Sequence, residues 1–174
     1  MRFELCATGL AALLLWAPAI AQADAIYRYD GNPFQTVAGR YTTSDSLSGE
    51  IQVPSVLAAN LSNAVVTLDG WSFSDGLKIF TDANSTAETP RVGTDGAGRI
   101  VNWSFDFSAG GAVMGTFNNG PIDQIDQATD FANGNSLASN GNVPGVWALV
   151  PEPSSAALAA LSLTVLAMAR PRRR

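Results

Sequence analysis

Three aspartates, Asp123, Asp126 and Asp130, stand three and four residues apart, the nearest approach in this chain to a spaced set of ligands. On a helix that spacing gives one shared face, where carboxylates and carbonyls can hold a calcium ion. The surrounding residues lack the loop pattern of an EF-hand or of a calcium-binding repeat. The three are therefore read as a solvated helix face, and no metal site is assigned. Sugar hydrolysis needs two carboxylates about 5–10 Å apart. No acid pair is marked out by spacing, and Asp106 is predicted to point to solvent. The chain has no His and a single Cys, Cys6. That excludes Ser–His–Asp and Cys–His catalysis and the usual zinc and haem ligand sets. No catalytic residue and no cofactor are assigned.

Aromatic faces are the other available chemistry, because they stack on sugars. Trp71, Trp103 and Trp147 could build such a platform, but core positions explain them more simply. Tyr27, Tyr29 and Tyr41 are expected to be partly exposed. Asn60, Asn84 and Asn102 lie in N-x-Ser/Thr sequons. Ten Lys+Arg against fifteen Asp+Glu leave a net charge of −5, which argues against nucleic acid as a partner. Only 14% of the residues are charged, against about 25% in an ordinary chain.

The elements that must position these groups are mostly strands. Residues 100–107 alternate, with Val101, Trp103, Phe105 and Phe107 predicted on one face and Asn102, Ser104 and Asp106 on the other. Segments 26–30, 49–53, 64–68, 112–117 and 146–149 read as further strands. Asx-Gly pairs, Asp75-Gly76 and Asn119-Gly120 among them, favour tight turns. Residues 71–80 read as a two-residue hairpin with Trp71 facing Phe80 and Phe73 facing Lys78. The one clear helix candidate is 122–132, with Pro121 at its start, Gly134 past its end, and Ile122, Ile125 and Phe131 on its buried side. The stretch 131–143, rich in Asn, Gly and Ser, reads as a loop. Short strands, many turn signals and little helix predict an all-β fold, an antiparallel β-sandwich or jelly-roll.

Both ends of the chain differ from this middle. Arg2, an apolar run over 5–17, Pro18 and then Ala21-Gln22-Ala23 match a secretory signal peptide. Ala21 and Ala23 are the small residues a signal peptidase reads, so cleavage is expected before Asp24. Cys6 leaves with that segment. Between the ends, residues 24–149 hold thirteen Asp+Glu and five Lys+Arg. At the C-terminus, Val150-Pro151-Glu152-Pro153 is followed by an uncharged apolar run over 156–169 and by Arg170, Arg172, Arg173 and Arg174. The prolines keep the backbone extended, as a protease or transpeptidase groove requires. The arginines resist translocation. Fourteen apolar residues make about 21 Å of helix, or about 24 Å counted from Ser154, against about 30 Å of hydrocarbon. Such a marginal span suits a temporary tether better than a permanent anchor.

This three-part tail resembles the PEP-CTERM sorting signal of Gram-negative bacteria. The resemblance implies a membrane-embedded exosortase that cuts near Pro-Glu-Pro and frees the domain to the cell surface or the exopolysaccharide matrix. Inside the domain, Tyr29 to Phe34, Phe73-Ser74-Asp75-Gly76 and Gly98 to Trp103 are similar to segments of secreted proteins carrying the same tail, whose activity is unassigned. The expected organisation is a signal peptide (1–23), a β domain (24–149) and a sorting signal with a short transmembrane helix (150–174). The expected partners are the Sec translocon, signal peptidase, an exosortase and exopolysaccharide. The leading expectation is an exported, non-enzymatic surface or matrix protein, tethered transiently to the inner membrane. A carbohydrate-binding module for exopolysaccharide is the alternative, and a carboxylate-dependent hydrolase is third.

Overall fold

The computed structural model describes residues 24–120 and 124–151. The expected signal segment, Ala21 and Ala23 included, lies outside the described residues, as do Pro121, Ile122, Asp123 and everything from Glu152 onward. The strands are β1 (Ala25–Pro33), β2 (Thr36–Ala38), β3 (Ser46–Val53), β4 (Ala64–Val65), β5 (Gly70–Ser74), β6 (Ile79–Thr81), β7 (Thr86–Ala87), β8 (Arg91–Thr94), β9 (Ile100–Ala109), β10 (Ala112–Asn118), β11 (Gln124–Asp130), β12 (Ser136–Gly141) and β13 (Val146–Val150). No helix occurs among the described residues. The expected all-β, antiparallel class is therefore observed. Five strands form one sheet in the order β13-β1-β3-β5-β6. The rest form an eight-stranded sheet, β2-β12-β11-β10-β9-β8-β4, with β7 paired to the far half of β9.

β9 and β10 form the hairpin at the centre of the larger sheet. Ala109 pairs with Ala112 across Gly110 and Gly111, whose φ angles are +55° and +81°. Two successive positive φ values give the turn whose twist matches the strands, and glycine adopts them without strain. The alternation expected along β9 holds from Trp103 to Ala109, where Trp103, Phe105, Phe107 and Ala109 are buried. It fails at the start of the strand. The pairing with β8 steps from Gly93–Asn102 to Thr94–Ile100, leaving Val101 as the extra residue. This bulge turns Ile100 inward and Val101 out, to 42% exposure.

Three other expectations are corrected. The described residues of segment 122–132 form no helix: β11 (Gln124–Asp130) runs through them, between β10 and β12. Its inner face carries Asp126, Ala128 and Asp130, while Ile125 is only partly covered and Phe131 is exposed. Asp126 and Asp130, four apart, share a face on a strand as well as on a helix, whereas residues three apart share one only on a helix. The loop expected over 131–143 contains β12, whose small inner residues Ser136, Ala138 and Asn140 are all buried. In the 71–80 hairpin, Phe73 pairs with Phe80 and Ser74 with Ile79. The connection is therefore residues 75–78. Asp75 Oδ1 closes it by accepting the N–H groups of Leu77 and Lys78 at 2.8 and 2.7 Å.

The core lies between the two sheets and is aromatic. Trp147, Tyr29 and Phe73 stand in one row across the smaller sheet, linked by the pairs Tyr29–Trp147, Tyr29–Gly49 and Gly49–Phe73. That row meets residues that follow one another along β9. Ring centroids are 5.8 Å apart for Tyr29 and Trp103, 5.0 Å for Trp147 and Phe105, and 4.8 Å for Phe73 and Phe107.

Gly49 makes this row possible. A Cβ at residue 49 would stand 2.5 Å from the Phe73 ring and 2.4 Å from the Ser72 carbonyl oxygen. Gly49→Ala is expected to lower stability by about 2 kcal/mol, as overpacking does. Gly141→Ala, where a Cβ meets nothing within 4 Å, should change it by less than about 0.5 kcal/mol. Urea unfolding of the two variants measures the difference.

Candidate functional site

The sequence marks the C-terminal end of the domain as the functional segment, and β13 positions it. β13 is an edge strand paired only with β1, from Asp30–Val146 to Ile26–Val150. Such an edge would fray, but Trp147 projects from it into the core. The indole lies 5.0 Å from Tyr29, 5.0 Å from Phe105, 6.1 Å from Phe73 and 6.4 Å from Trp103. The antiparallel register brings Val150 beside Ile26, so Asp24 and Pro151 leave the same end of the smaller sheet. Asp24 is held there by a 2.6 Å hydrogen bond from Gln52 Nε2 to its Oδ2. Pro151 is exposed. Of the expected sorting residues, Val150 and Pro151 are described. Glu152, Pro153, Arg170, Arg172, Arg173 and Arg174 lie outside the described residues.

The acids are arranged differently from the sequence expectation. Asp126 and Asp130 are buried rather than solvated. Asp130 accepts N–H bonds from Ala132 and Asn133 and one from the Asn133 amide. These donors, the Asn133 side chain first, hold its carboxyl below the usual range. Asp75 and Asp126 each accept a tyrosine hydroxyl, Tyr41 on Asp75 Oδ2 at 2.7 Å and Tyr29 on Asp126 Oδ1 at 2.6 Å. Burial, reinforced by these acids, raises both phenols far above their ordinary range. Among the described residues no group of three or more acids is placed to hold a metal ion. Asp106 does face outward, but it is only partly exposed. Burial, and then the nearby Glu88 charge, raise its carboxyl to about 6.

The aromatic residues form no exposed platform. Trp103 and Trp147 are core residues, and Trp71 is half-buried, with its Nε1 donating to Ser85 Oγ at 3.0 Å. The expectation of partly exposed tyrosines is overturned, since Tyr27, Tyr29 and Tyr41 are all buried. Their hydroxyls have inside partners: Asp126, Asp75 and, for Tyr27, the N–H of Leu57 at 2.9 Å. The exposed aromatic is Phe131, at 61%. It lines an open cleft of about 650 Å³ with Asn84, Thr86, Ser108 and the Gly110–Gly111 turn. Both side-chain ends of Asn84 are already bonded within its own turn, to the N–H of Thr81 and the carbonyl of Ile79.

No family model, curated protein or solved structure matches this chain.

The outward acid supplies a test of the electrostatics. A folded pKa raised from 3.8 to about 6 penalises the charged form of Asp106 in the folded state. Its contribution to stability is present below pH 4 and is lost as pH rises through about 6. Asp106→Asn should therefore melt above the parent protein at pH 7 and converge with it by pH 4. Thermal unfolding at the two pH values reads this directly.

Proposed function

We propose that this chain is an exported, non-enzymatic protein of the cell surface or extracellular matrix, sorted through a C-terminal signal of the PEP-CTERM kind and released by an exosortase. In this reading a β-sandwich domain passes through the Sec translocon and loses its signal at Asp24. It is then held briefly at the inner membrane by the 156–169 run. The observation that carries the proposal is the sequence order of the tail: Val150-Pro151-Glu152-Pro153, an apolar run too short for a comfortable span, and terminal arginines.

The geometry of the described residues is compatible with that route. The last strand ends at Val150 beside the first residues of β1. The two chain ends thus face one side of the domain, as they must if both are handled at one membrane surface. The buried acids and the lack of a clustered ligand set offer nothing in favour of the hydrolase reading. The carbohydrate-binding reading rests on one feature, Phe131 on the rim of its cleft.

Expression of the full chain with and without an exosortase, followed by mass measurement of the surface material, tests the proposal. The expected product starts at Asp24 and ends near Pro151–Pro153 only when the enzyme is present. Surface material that still carries Arg174 in the presence of the enzyme overturns it. A glycan array separates the alternative: micromolar binding that Phe131→Ala abolishes makes the domain a carbohydrate-binding module.

A further inference from the structure

Asp126, Thr116 and Asn140 stand side by side across three strands of the larger sheet, as register partners on β10, β11 and β12. All three are fully buried. The Thr116 hydroxyl accepts Trp103 Nε1–H at 2.8 Å and turns toward the Tyr29–Asp126 pair. Asp126 Oδ1 takes the Tyr29 hydroxyl, and that hydroxyl accepts the Gly145 N–H at 2.7 Å. Two oxygens are left without a partner, Asp126 Oδ2 and Asn140 Oδ1.

The Asn140 amide cannot turn to relieve this. Its Nδ2 donates to the carbonyls of Val143 at 3.1 Å and Asn32 at 3.3 Å. Rotation would set its oxygen against both carbonyls. Two acceptors therefore belong to facing residues of adjacent strands, on the same buried face. An unsatisfied buried acceptor costs about 1–3 kcal/mol, and a buried unpaired carboxylate costs more. A single proton placed between the two oxygens satisfies both.

We propose that Asp126 is held in the folded domain as the neutral acid, its Oδ2–H donating to Asn140 Oδ1, and that this shared proton is a latch on the 142–145 loop. The loop hangs on the same groups. Asn140 Nδ2 and Asn32 Nδ2 both hold the Val143 carbonyl, Asn32 Nδ2 also holds Pro144, and Tyr29 holds Gly145. It leads directly into β13. When the proton passes to solvent, two acceptors face each other, and the Asn140 amide is pushed off its loop partners. Rising pH thus loosens the seat of the last strand.

The surroundings favour the neutral form. The Tyr29 phenol from β1 is the one titratable group that bonds Asp126. β10 contributes Thr116, β12 contributes Asn140, and the loop contributes the Gly145 amide. Desolvation outweighs the Tyr29, Thr116 and Gly145 hydrogen bonds and raises the Asp126 carboxyl. Gly31 leaves room at the site, since a Cβ there would stand 3.0 Å from Oδ2. A raised folded pKa means stability that is fully present below the ordinary 3.8 and is lost as pH climbs to the raised value.

The test uses the full chain in mild detergent, with 13C at the aspartate carboxyl carbons and resonances assigned by single Asp→Asn changes. The Asp126 carbon should keep the shift of a protonated acid above the pH at which an ordinary aspartate, at 3.8, gives up its proton. Asp126→Asn replaces the acid by an isosteric donor–acceptor pair. Its unfolding constant, relative to wild type, should fall about tenfold per pH unit between 3.8 and the raised value. An Asp126 carbon that titrates at 3.8 or below overturns the proposal, and so does an Asn variant whose stability runs parallel to wild type across pH. Should the variant fail to fold, the carbon titration of the wild-type chain decides alone.

Discussion

One tryptophan joins the edge of this fold to its centre. Trp147 sits on β13, an edge strand of five residues, yet its indole lies within ring contact of Tyr29, Phe73, Phe105 and Trp103. Edge strands are ordinarily the first to open, because only one side is paired. Here the edge carries a large buried ring, so lifting β13 removes one end of the aromatic row and uncovers Phe105. The place where the chain leaves the domain is thereby tied to the core, and the pairing of Ile26 with Val150 follows from the same seating.

Seating these rings sets further demands within the smaller sheet, where glycines stand at the closest approaches. Gly49 lies under the Phe73 ring, and Gly145 lies against the Asp30 carbonyl, where a Cβ would be 2.2 Å away. Several polar groups caught between the sheets are matched in pairs, tyrosine hydroxyls to Asp75 and Asp126, and the Trp103 indole to Thr116, while Asp126 Oδ2, Asn140 Oδ1 and the Trp147 Nε1–H have no partner. These pairs replace the cross-links that a domain without cysteine lacks. The low charge of the chain is also that of the domain, whose strands carry Ser, Thr, Gln and Asn at many outer positions instead of ions.

Much of the fold was legible because period two is simple. Trp103, Phe105 and Phe107 declared β9, and Val146 to Leu149 declared the closing strand. The failures have physical causes. The bulge at Val101 shifts phase by one residue, and a pattern read in one phase cannot show it. β11 reads backwards, with acids inside and Ile125 only partly covered, because Asp126 has a hydroxyl donor from distant Tyr29 and Asp130 has backbone and amide donors from the turn that follows it. The tyrosines were misplaced for the matching reason: their partners are Asp126 and Asp75, which lie 97 and 34 residues away from Tyr29 and Tyr41. Of the candidate sorting site, sequence carried the whole chemical signal. What it could not carry was the strand register that sets Val150 beside the start of β1.

The most direct measurement of this account is native-state hydrogen exchange in mildly acidic buffer, comparing the amides of β13 with those of β9. If Trp147 binds the edge to the core, β13 amides that bond β1 open together with the whole domain, and their opening free energies fall within about 1 kcal/mol of those in β9. Should β13 open alone, at a free energy several kcal/mol below that of β9, the edge is not fixed by its tryptophan and the central claim fails.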